Sequence, residues 1–338
     1  MQEEMTGQEQ VVEPTTPAQT AQTEQATHGE ETTAIIIANP TAGSYAQHEQ
    51  QIQETIAYLQ EHGWQVELWL TQQAGDARRL AGKAVEQHKQ VVVAVGGDGT
   101  INEIIQELAN SKTALGVLPS GTVNVWARET GIPFDNEGAR DVLLHGQTRS
   151  IDLGQVGDRY FLLMAGIGMD GEVTHAVEKK PVKRFGVLGY LVLGTWLGFG
   201  YPSFRVILRI GDHTIRANAL QVIIGNTQLY GGVIKYTWQA KCDDGRLDVC
   251  VIRKQNVLGR IAVAFDFLLR RKQRTQWVKY ETGHDILVQT TRPIAMQVDG
   301  DPADYTPQRG FPPVTFCVAP RALNVIVPQQ IPESLFSE

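Results

Sequence analysis

The sequence predicts an α/β N-terminal domain with a three-layer parallel sheet, followed by a β-sandwich-like C-terminal domain. In the first half of the chain, apolar strands alternate with helices whose apolar residues recur at helical spacing. This alternation is typical of a parallel sheet covered on both faces. After about Ile151, short alternating strands are separated by Gly-Asp and Asp-Gly turns, which favours antiparallel sheets. A chain of 338 residues is long enough for both domains.

Changes in composition indicate where the domains begin and end. Residues 1–32 contain seven Glu, no Lys or Arg and few apolar residues, so we expect a disordered acidic tail and no signal peptide. The expected domains are 33–150 and 151–328, followed by a C-terminal tail at 329–338. The tail at 1–32 accounts for the net charge of −7, and nothing else in the charge distribution indicates nucleic-acid binding. Three cysteines without metal-ligand spacing favour a reduced, cytoplasmic protein.

The first domain is expected to bring four loops to one edge of its sheet. Strands are predicted at 34–38, 64–70, 91–95 and 114–118, each followed by a helix or a polar loop. The carboxyl ends of parallel strands lie at the same edge, where ligands bind. In chain order, the four loops contain Asn39-Pro40-Thr41-Ala42-Gly43, Thr71, Gly96-Gly97-Asp98-Gly99-Thr100-Ile101-Asn102, and Gly121-Thr122-Val123-Asn124.

The third of these loops carries the strongest chemical signal. Glycines let a phosphate lie against the backbone, and the start of the following helix attracts an anion. Asp98 would repel that phosphate unless a cation, a proton or a hydroxyl lies between them, which indicates phosphoryl transfer with Asp98 as a catalytic residue. Thr100 and Glu103 are placed for a capping box at the start of the helix. The spacing matches neither a P-loop nor G-x-G-x-x-G, and an ordinary turn is the alternative.

These motifs resemble those of the diacylglycerol kinase catalytic domain family, which includes bacterial lipid kinases and the sphingosine and ceramide kinases. NAD kinases and phosphofructokinases share the Gly-Gly-Asp-Gly core but lack the other matching motifs. Those motifs are Asn39-Pro40 with Gly43, Pro119 with Gly121-Thr122 and Asn124, Asp152-Leu153-Gly154, Ala165–Asp170, Tyr230-Gly231-Gly232, and Asp243-Asp244-Gly245.

The resemblance implies that ATP is bound by residues 39–43, Thr71, residues 96–102, Gly121, Thr122 and Asn124, and that Asp170 lies at the substrate. It also implies a structural magnesium ion, held by the Asp244 carboxylate and the backbone carbonyls of Lys241 and Arg246. By itself, Asp244-Gly245 is a hairpin-turn signal. Val125 stands where many members have an Asp that serves a water and magnesium network.

A catalytic base is expected in Met296-Gln297-Val298-Asp299-Gly300-Asp301. The family carries Asp-Gly-Glu here, and the final Glu is taken as proton acceptor for the lipid hydroxyl. The resemblance therefore implies that Asp301, shorter by one methylene, is the base and that Asp299 orients it or the magnesium ion. Asp299 itself is an alternative base, because a base must reach the hydroxyl directly or through one water. An ordinary Asp-Gly turn is the other alternative.

Two segments bear on membrane binding. The uncharged run Phe185–Phe204 follows Lys179, Lys180, Lys183 and Arg184, but its glycines and proline favour a helix ending near Gly200 over a bilayer span. Val257–Trp277 predicts an amphipathic helix, with Ile261, Phe265 and Leu268 on one side and Arg270, Arg271, Lys272 and Arg274 following. Such a helix can lie on anionic lipid, and a solvated helix end is the alternative.

The predicted function is ATP- and Mg²⁺-dependent phosphorylation of a hydroxyl of diacylglycerol or a similar lipid. The expected partners are ATP, a lipid alcohol and the inner face of the cytoplasmic membrane, with no nucleic acid, and a homodimer is left open. One alternative is a kinase for a sphingoid base or another amphiphilic alcohol. Another is a catalytically silent protein that binds nucleotide or lipid on the same fold.

Overall fold

The computed structural model describes residues 31–40, 45–178, 200–269, 271 and 276–337. Almost all of the predicted acidic tail lies outside the described residues. The same is true of Thr41, Ala42 and Gly43, of the cations at 179–184 with most of the uncharged run after them, and of Arg270, Lys272 and Arg274. No helix in the described part of the chain is long and apolar enough to span a bilayer.

The first half of the chain forms the predicted parallel sheet. Its strands are β1 (Thr33–Ala38), β2 (Gln65–Leu70), β3 (Val91–Gly96) and β4 (Ala114–Pro119), and its helices are α1 (Tyr45–Glu61), α2 (Asp76–Glu86), α3 (Asp98–Leu108), α4 (Val125–Thr130) and α5 (Asn136–His145). The strands pair in the order β2-β1-β3-β4, all parallel. Every residue of the apolar strand β3 is buried, because α2 with α3 and α1 with α5 cover the sheet.

The second half is mainly antiparallel, as the turn signals predict. Its strands are β5 (Gln147–Val156), β6 (Arg159–Phe161), β7 (Met164–Gly168), β8 (Phe204–Ile210), β9 (His213–Gly225), β10 (Leu229–Tyr230), β11 (Ile234–Lys235), β12 (Leu247–Arg253), β13 (Val278–Gly283), β14 (Asp285–Thr290), β15 (Ala295–Val298), β16 (Asp301–Tyr305) and β17 (Val314–Val327), and its helices are α6 (Met169–Glu178) and α7 (Val257–Leu268). These strands enclose a second apolar core. The predicted fold class is confirmed.

The last strand, β17, connects the two halves of the molecule. It pairs antiparallel with β5 along most of its length, and its Asn324 and Val325 pair parallel with Ala114 and Leu115 of β4. The register shifts between Ala319 and Leu323, which lets the strand bend. Strands from both halves thus belong to one hydrogen-bonded sheet in the described structure, and backbone hydrogen bonds fix the position of one half against the other.

The turn at Asp243-Asp244-Gly245 does not close a hairpin, so that expectation was wrong. It precedes β12, whereas β11 before it pairs with β10. The Gly245 amide donates to Asp152 Oδ2 at 2.6 Å, and the Ser337 amide donates to Asp243 Oδ1 at 2.6 Å. These bonds hold the turn against β5 and the C-terminal residues.

Candidate active site

A cleft of about 460 Å³ lies at the carboxyl edge of the parallel sheet. Its walls come from the ends of β1, β2 and β3 and from the second half of the chain. The lining residues are Asn39, Thr71, Gln73, Ala74, Ala77, Gly97, Gly99, Thr100, Glu103 and Asp301. Three of the four predicted loops therefore contribute residues to one cavity, together with the carboxylate of Asp301 at the start of β16.

The glycine loop leads directly from β3 into α3. Gly97 precedes the helix in an extended conformation, and no side chain caps the first turn. The capping box predicted for Thr100 and Glu103 is therefore absent. Glu103 instead accepts hydrogen bonds from the amides of Gly75 (3.0 Å) and Ala77 (3.1 Å), at the start of α2. This carboxylate ties α2 to α3, and both helices form the wall of the cleft.

The carboxylate of Asp98 points to the fourth loop and not to solvent. Its Oδ1 accepts a hydrogen bond from the Val125 amide at 2.7 Å, at the start of α4. Burial raises the pKa of Asp98, although backbone hydrogen bonds partly oppose the shift. Val125 stands where the resemblance leads us to expect Asp, and it contributes to this contact through its backbone amide, which donates to Asp98. Asp98 therefore connects the glycine loop to the loop that follows β4.

The same two loops also approach each other through glycine. A methyl group added at Gly121 would overlap the Cα of Gly97 and lie 2.7 Å from Asn124 Oδ1. Asn124 adopts a left-handed conformation (φ 50°) and hydrogen-bonds both the amide (3.0 Å) and the carbonyl (2.8 Å) of Gly121. Only a residue without a side chain fits at 121, so the motif Gly-Thr-Val-Asn fixes the distance between the two loops.

Asp301 lies where the two halves of the molecule meet. Asp299 (φ 50°) and Gly300 (φ 83°) form the two-residue turn between β15 and β16, and Asp301 is the first residue after it. The Asp301 Oδ2 atom accepts a hydrogen bond from Asn102 Nδ2 of α3 at 2.8 Å. The structure thus brings the predicted base to the predicted phosphate loop.

Asp299 has different surroundings. Its carboxylate accepts three hydrogen bonds, from the amides of Leu162 (2.7 Å), Leu163 (2.9 Å) and Met164 (2.9 Å). Burial raises its pKa to about 6, and these amides act in the opposite direction. Through these three bonds, Asp299 anchors the turn to residues 162–164, where β7 begins.

Asp170 is buried at the start of α6 and is not among the residues that line the cleft. It is 4% exposed, and its carboxylate accepts hydrogen bonds from Gln297 Nε2 (2.6 Å) and from the Tyr230 hydroxyl. Gln297 is fully buried, and its Oε1 accepts a hydrogen bond from the Gly300 amide at 2.8 Å. Asp170 is therefore connected through Gln297 to the turn that carries Asp301.

The residues predicted to bind magnesium lie in the loop before β12, outside the cleft. The Asp244 Oδ1 atom accepts a hydrogen bond from the Arg246 amide at 3.0 Å. Burial, with the negative charge of Asp244 nearby, raises the pKa of Asp248 to about 7. No group of three His, Cys, Asp or Glu side chains suited to a metal occurs among the described residues. The exposed carboxylate of Asp244 and the backbone carbonyls of this loop are nonetheless hard oxygen donors of the kind that Mg²⁺ takes, with water completing its coordination.

The remaining predicted residues are placed less directly. Ile101 lies in the core (3% exposed), and Thr122 is exposed and outside the lining of the cleft. Gln73, Ala74, Ala77 and Glu103 also line the cleft and were not predicted from the sequence. The first three follow β2, so the rule that placed Thr71 at the carboxyl edge would also have found them. Glu103 gives no such signal, because its spacing suggests a cap for its own helix.

Comparison with known proteins identifies the family of this chain. Residues 33–156 match the diacylglycerol kinase catalytic domain, and residues 164–327 match the YegS C-terminal NAD kinase beta sandwich-like domain. Diacylglycerol kinases from two strains of Staphylococcus aureus, bovine RF122 / ET3-1 and MRSA252, are each 30% identical over 307 residues. The match spans 88% of this chain and 93% of each relative.

Solved structures support the fold. A putative diacylglycerol kinase from Bacillus anthracis superposes with a TM-score of 0.75 at 21% identity, over 90% of this chain and 98% of that one. A second structure of a diacylglycerol kinase from the same organism gives 0.67 at 19% identity, over 88% and 97%. The sequence relatives and the two domain matches together extend over both halves of the molecule. The chain belongs to the diacylglycerol kinase catalytic domain family, a family of lipid kinases.

Proposed function

We propose that this protein transfers the γ-phosphoryl group of ATP to a hydroxyl of diacylglycerol or a similar lipid. The observation that carries the proposal is the place of Asp301, which lines the same cleft as Gly97 and Gly99 and lies 2.8 Å from Asn102 of α3. A phosphate bound at the glycine loop would lie close to a carboxylate that can accept the proton of the attacking hydroxyl.

In this proposal, ATP occupies the cleft of about 460 Å³, a volume in the usual range for a ligand pocket. The phosphates lie against Gly97 and Gly99 at the amino end of α3, where backbone amides favour an anion. Asn39, Thr71 and Thr100 supply polar groups along the wall. Asp98, Gly121 and Asn124 contribute by holding the two loops together.

Magnesium is assigned to Asp244 and to the carbonyls of Lys241 and Arg246. The support is the donor set, because a carboxylate and two backbone carbonyls in one short loop supply the hard oxygen ligands that Mg²⁺ prefers. Bound there, Mg²⁺ would supply positive charge that stabilises the loop and β12. It would act on the structure, because none of these residues lines the cleft.

Asp170 is assigned to the acceptor side of the reaction. Gln297 connects its carboxylate to the Gly300 amide, one residue before Asp301. A lipid hydroxyl that reaches Asp301 would therefore approach near this buried network. A sphingoid base or another amphiphilic alcohol is the alternative acceptor.

The lipid must be reached at a membrane, and α7 is the element proposed to lie on it. Its exposed apolar side chains form one stripe along the helix: Leu258, Ile261, Phe265, Leu268 and Leu269. By sequence, Arg270, Arg271, Lys272 and Arg274 follow. Apolar residues beside a cluster of cations suit the interface of an anionic bilayer. Because ATP is the proposed phosphoryl donor, this bilayer surface is proposed to be the inner face of the cytoplasmic membrane.

The experiment that tests the function uses purified protein, radiolabelled ATP, Mg²⁺ and vesicles that contain diacylglycerol, ceramide, sphingosine or monoacylglycerol. We expect label in the product of diacylglycerol. Labelling of sphingosine alone would support the alternative acceptor. ATP binding without transfer to any lipid would support a catalytically silent protein.

The same assay tests the base. We expect Asp301→Asn to lose most turnover with its affinity for ATP unchanged, and Asp301→Glu to remain active. Asp304→Asn, at an exposed carboxylate of the same strand, is the matched control and should behave like the wild type. An active Asp301→Asn with an inactive, correctly folded Asp299→Asn would exchange the two roles. If both variants are active, the pair is only a turn.

A further inference from the structure

Arg159, in β6, lies beside the turn that carries Asp301. Its Nη2 atom is 3.0 Å from Asp301 Oδ2 and also donates to the Val298 carbonyl at 3.3 Å. Its Nη1 atom donates to the Pro302 carbonyl at 3.5 Å. Val298 ends β15 and Pro302 is the second residue of β16, so one guanidinium contacts both strands of the hairpin and the carboxylate between them.

The hydrogen bonds of Asp301 are asymmetric. Arg159 and Asn102 both donate to Oδ2, whereas Oδ1 accepts no hydrogen bond from the described residues. One oxygen is thus held by a donor from each half of the molecule. The other oxygen is left for a substrate hydroxyl.

We propose that Arg159 is a positioning residue for phosphoryl transfer, which holds the Asp301 carboxylate in one orientation at the cleft. The proposal rests on the proposed function of Asp301 as the base. Without Arg159, an exposed aspartate after a two-residue turn would sample several rotamers. The rigid fork of a guanidinium can bond the carboxylate and the flanking carbonyls at once, whereas an ammonium is a single point of charge.

The exposure of the pair separates this role from a contribution to stability. The side chain of Arg159 is 32% exposed and that of Asp301 53% exposed. Ion pairs this exposed contribute little to the free energy of unfolding, because solvent screens the charges and ordering two long side chains costs entropy. A misplaced catalytic group can lower the rate about a hundredfold. Removal of Arg159 should therefore be visible in the kinetics and nearly invisible in the melting temperature.

The first test compares Arg159→Gln and Arg159→Lys with the wild type in the lipid phosphorylation assay. We expect kcat to fall roughly 10- to 100-fold in Arg159→Gln, with a smaller loss in Arg159→Lys and an unchanged KM for ATP. Arg78→Gln is the matched control, because it removes another exposed arginine–carboxylate pair, Arg78 with Glu107, between α2 and α3. It should keep wild-type kcat, and all variants should melt at similar temperatures.

The second test places Arg159→Gln in the Asp301→Asn background and measures single turnovers. A residue that acts through Asp301 causes no further loss once that carboxylate is gone. Wild-type kcat in Arg159→Gln would overturn the proposal. So would a result in which Arg159→Gln lowers the rate by the same factor in the Asp301→Asn background as in the wild type. Full activity of Asp301→Asn would overturn it too, by removing the base. Absence of lipid phosphorylation by the wild-type protein is a separate result, which rejects the proposed function before any variant is compared.

Discussion

At the scale of single residues, Gly99 and Gly121 serve the cleft in different ways. A methyl group at 121 would overlap the Cα of Gly97, whereas a methyl group at 99 would meet no heavy atom within 4 Å. We expect Gly121→Ala to lower the melting temperature and the turnover, because the two loops must separate. Gly99→Ala should keep the melting temperature but raise the KM for ATP, because its methyl group stands where the phosphates are proposed to lie.

Gly82→Ala is the matched control for this pair, since it adds the same methyl group within α2, 3.4 Å from the nearest atom of Glu107. It should change neither the melting temperature nor the KM for ATP. The measurements are thermal unfolding and the KM for ATP. An unchanged KM in Gly99→Ala would place the phosphates away from the glycine loop.

Some residues of the cleft could be predicted from the sequence, and others could not. The lining residues Asn39, Thr71 and Gly97 were predictable, because strand ends and glycines are local signals. Glu103 was assigned to the wrong helix, because its spacing from Thr100 fits a capping box whereas its carboxylate accepts hydrogen bonds from the amides of Gly75 and Ala77. Arg159 gives no signal, since its partner is 142 residues away.

At the scale of elements, α7 is a helix with one buried face and one exposed apolar stripe. Gly259, Val263 and Phe267 are buried, and the Phe267 ring lies edge-on to Tyr236 with centroids 4.8 Å apart. On the other side, Leu258 is 76% exposed and Phe265 is 56% exposed. The periodicity predicted this stripe, but only the structure shows that nothing in the described chain covers it.

We expect Leu258→Ser combined with Phe265→Ser to weaken binding to anionic vesicles by about 100-fold or more, since burying each such side chain is worth about 1.5–3 kcal/mol. Replacing Arg270, Arg271, Lys272 and Arg274 by Gln should also weaken binding, in a salt-sensitive way, by about 1 kcal/mol per charge. Vesicle co-sedimentation measures both effects.

Phe311→Ser is the control for the stripe, because Phe311 is 58% exposed in another part of the molecule. The melting temperature should remain unchanged in all these variants. Wild-type vesicle binding by the two α7 variants would favour the solvated helix end. A change of oligomeric state on gel filtration would assign the stripe to a homodimer instead.

At the scale of the whole molecule, backbone pairing and side-chain hydrogen bonds make the two halves one unit. β17 pairs with both β5 and β4, and Asn102 donates to Asp301 across the cleft. The fold of each half was predictable from the alternation of local elements. The parallel pairing of Asn324 with Ala114 was not, because strand register between distant segments depends on tertiary packing and leaves no local pattern.

The free energy of unfolding is a property of the whole molecule, and the raised pKa of Asp248 makes it depend on pH. Burial raises the folded-state pKa of Asp248 to about 7, from an ordinary value of 3.8. Between these two values the folded chain keeps a proton that the unfolded chain has lost. The contribution of Asp248 to stability is therefore present at low pH, falls as the pH rises from about 4 to about 7, and is constant above that.

The Asp248→Asn variant removes this titration, because the Asn side-chain amide carries no charge at any pH in this range. In EDTA, we expect the variant to melt several degrees above the wild type at pH 8, where the wild type holds a buried negative charge, and close to it at pH 5. Asp212→Asn, in the exposed turn between β8 and β9, should follow the wild type at both values. Asp299, whose pKa is raised to about 6, titrates in all three proteins, so the difference between them isolates Asp248. Equal slopes of melting temperature against pH in the variant and the wild type would show that Asp248 is ionised in the folded chain throughout, in contradiction to its burial.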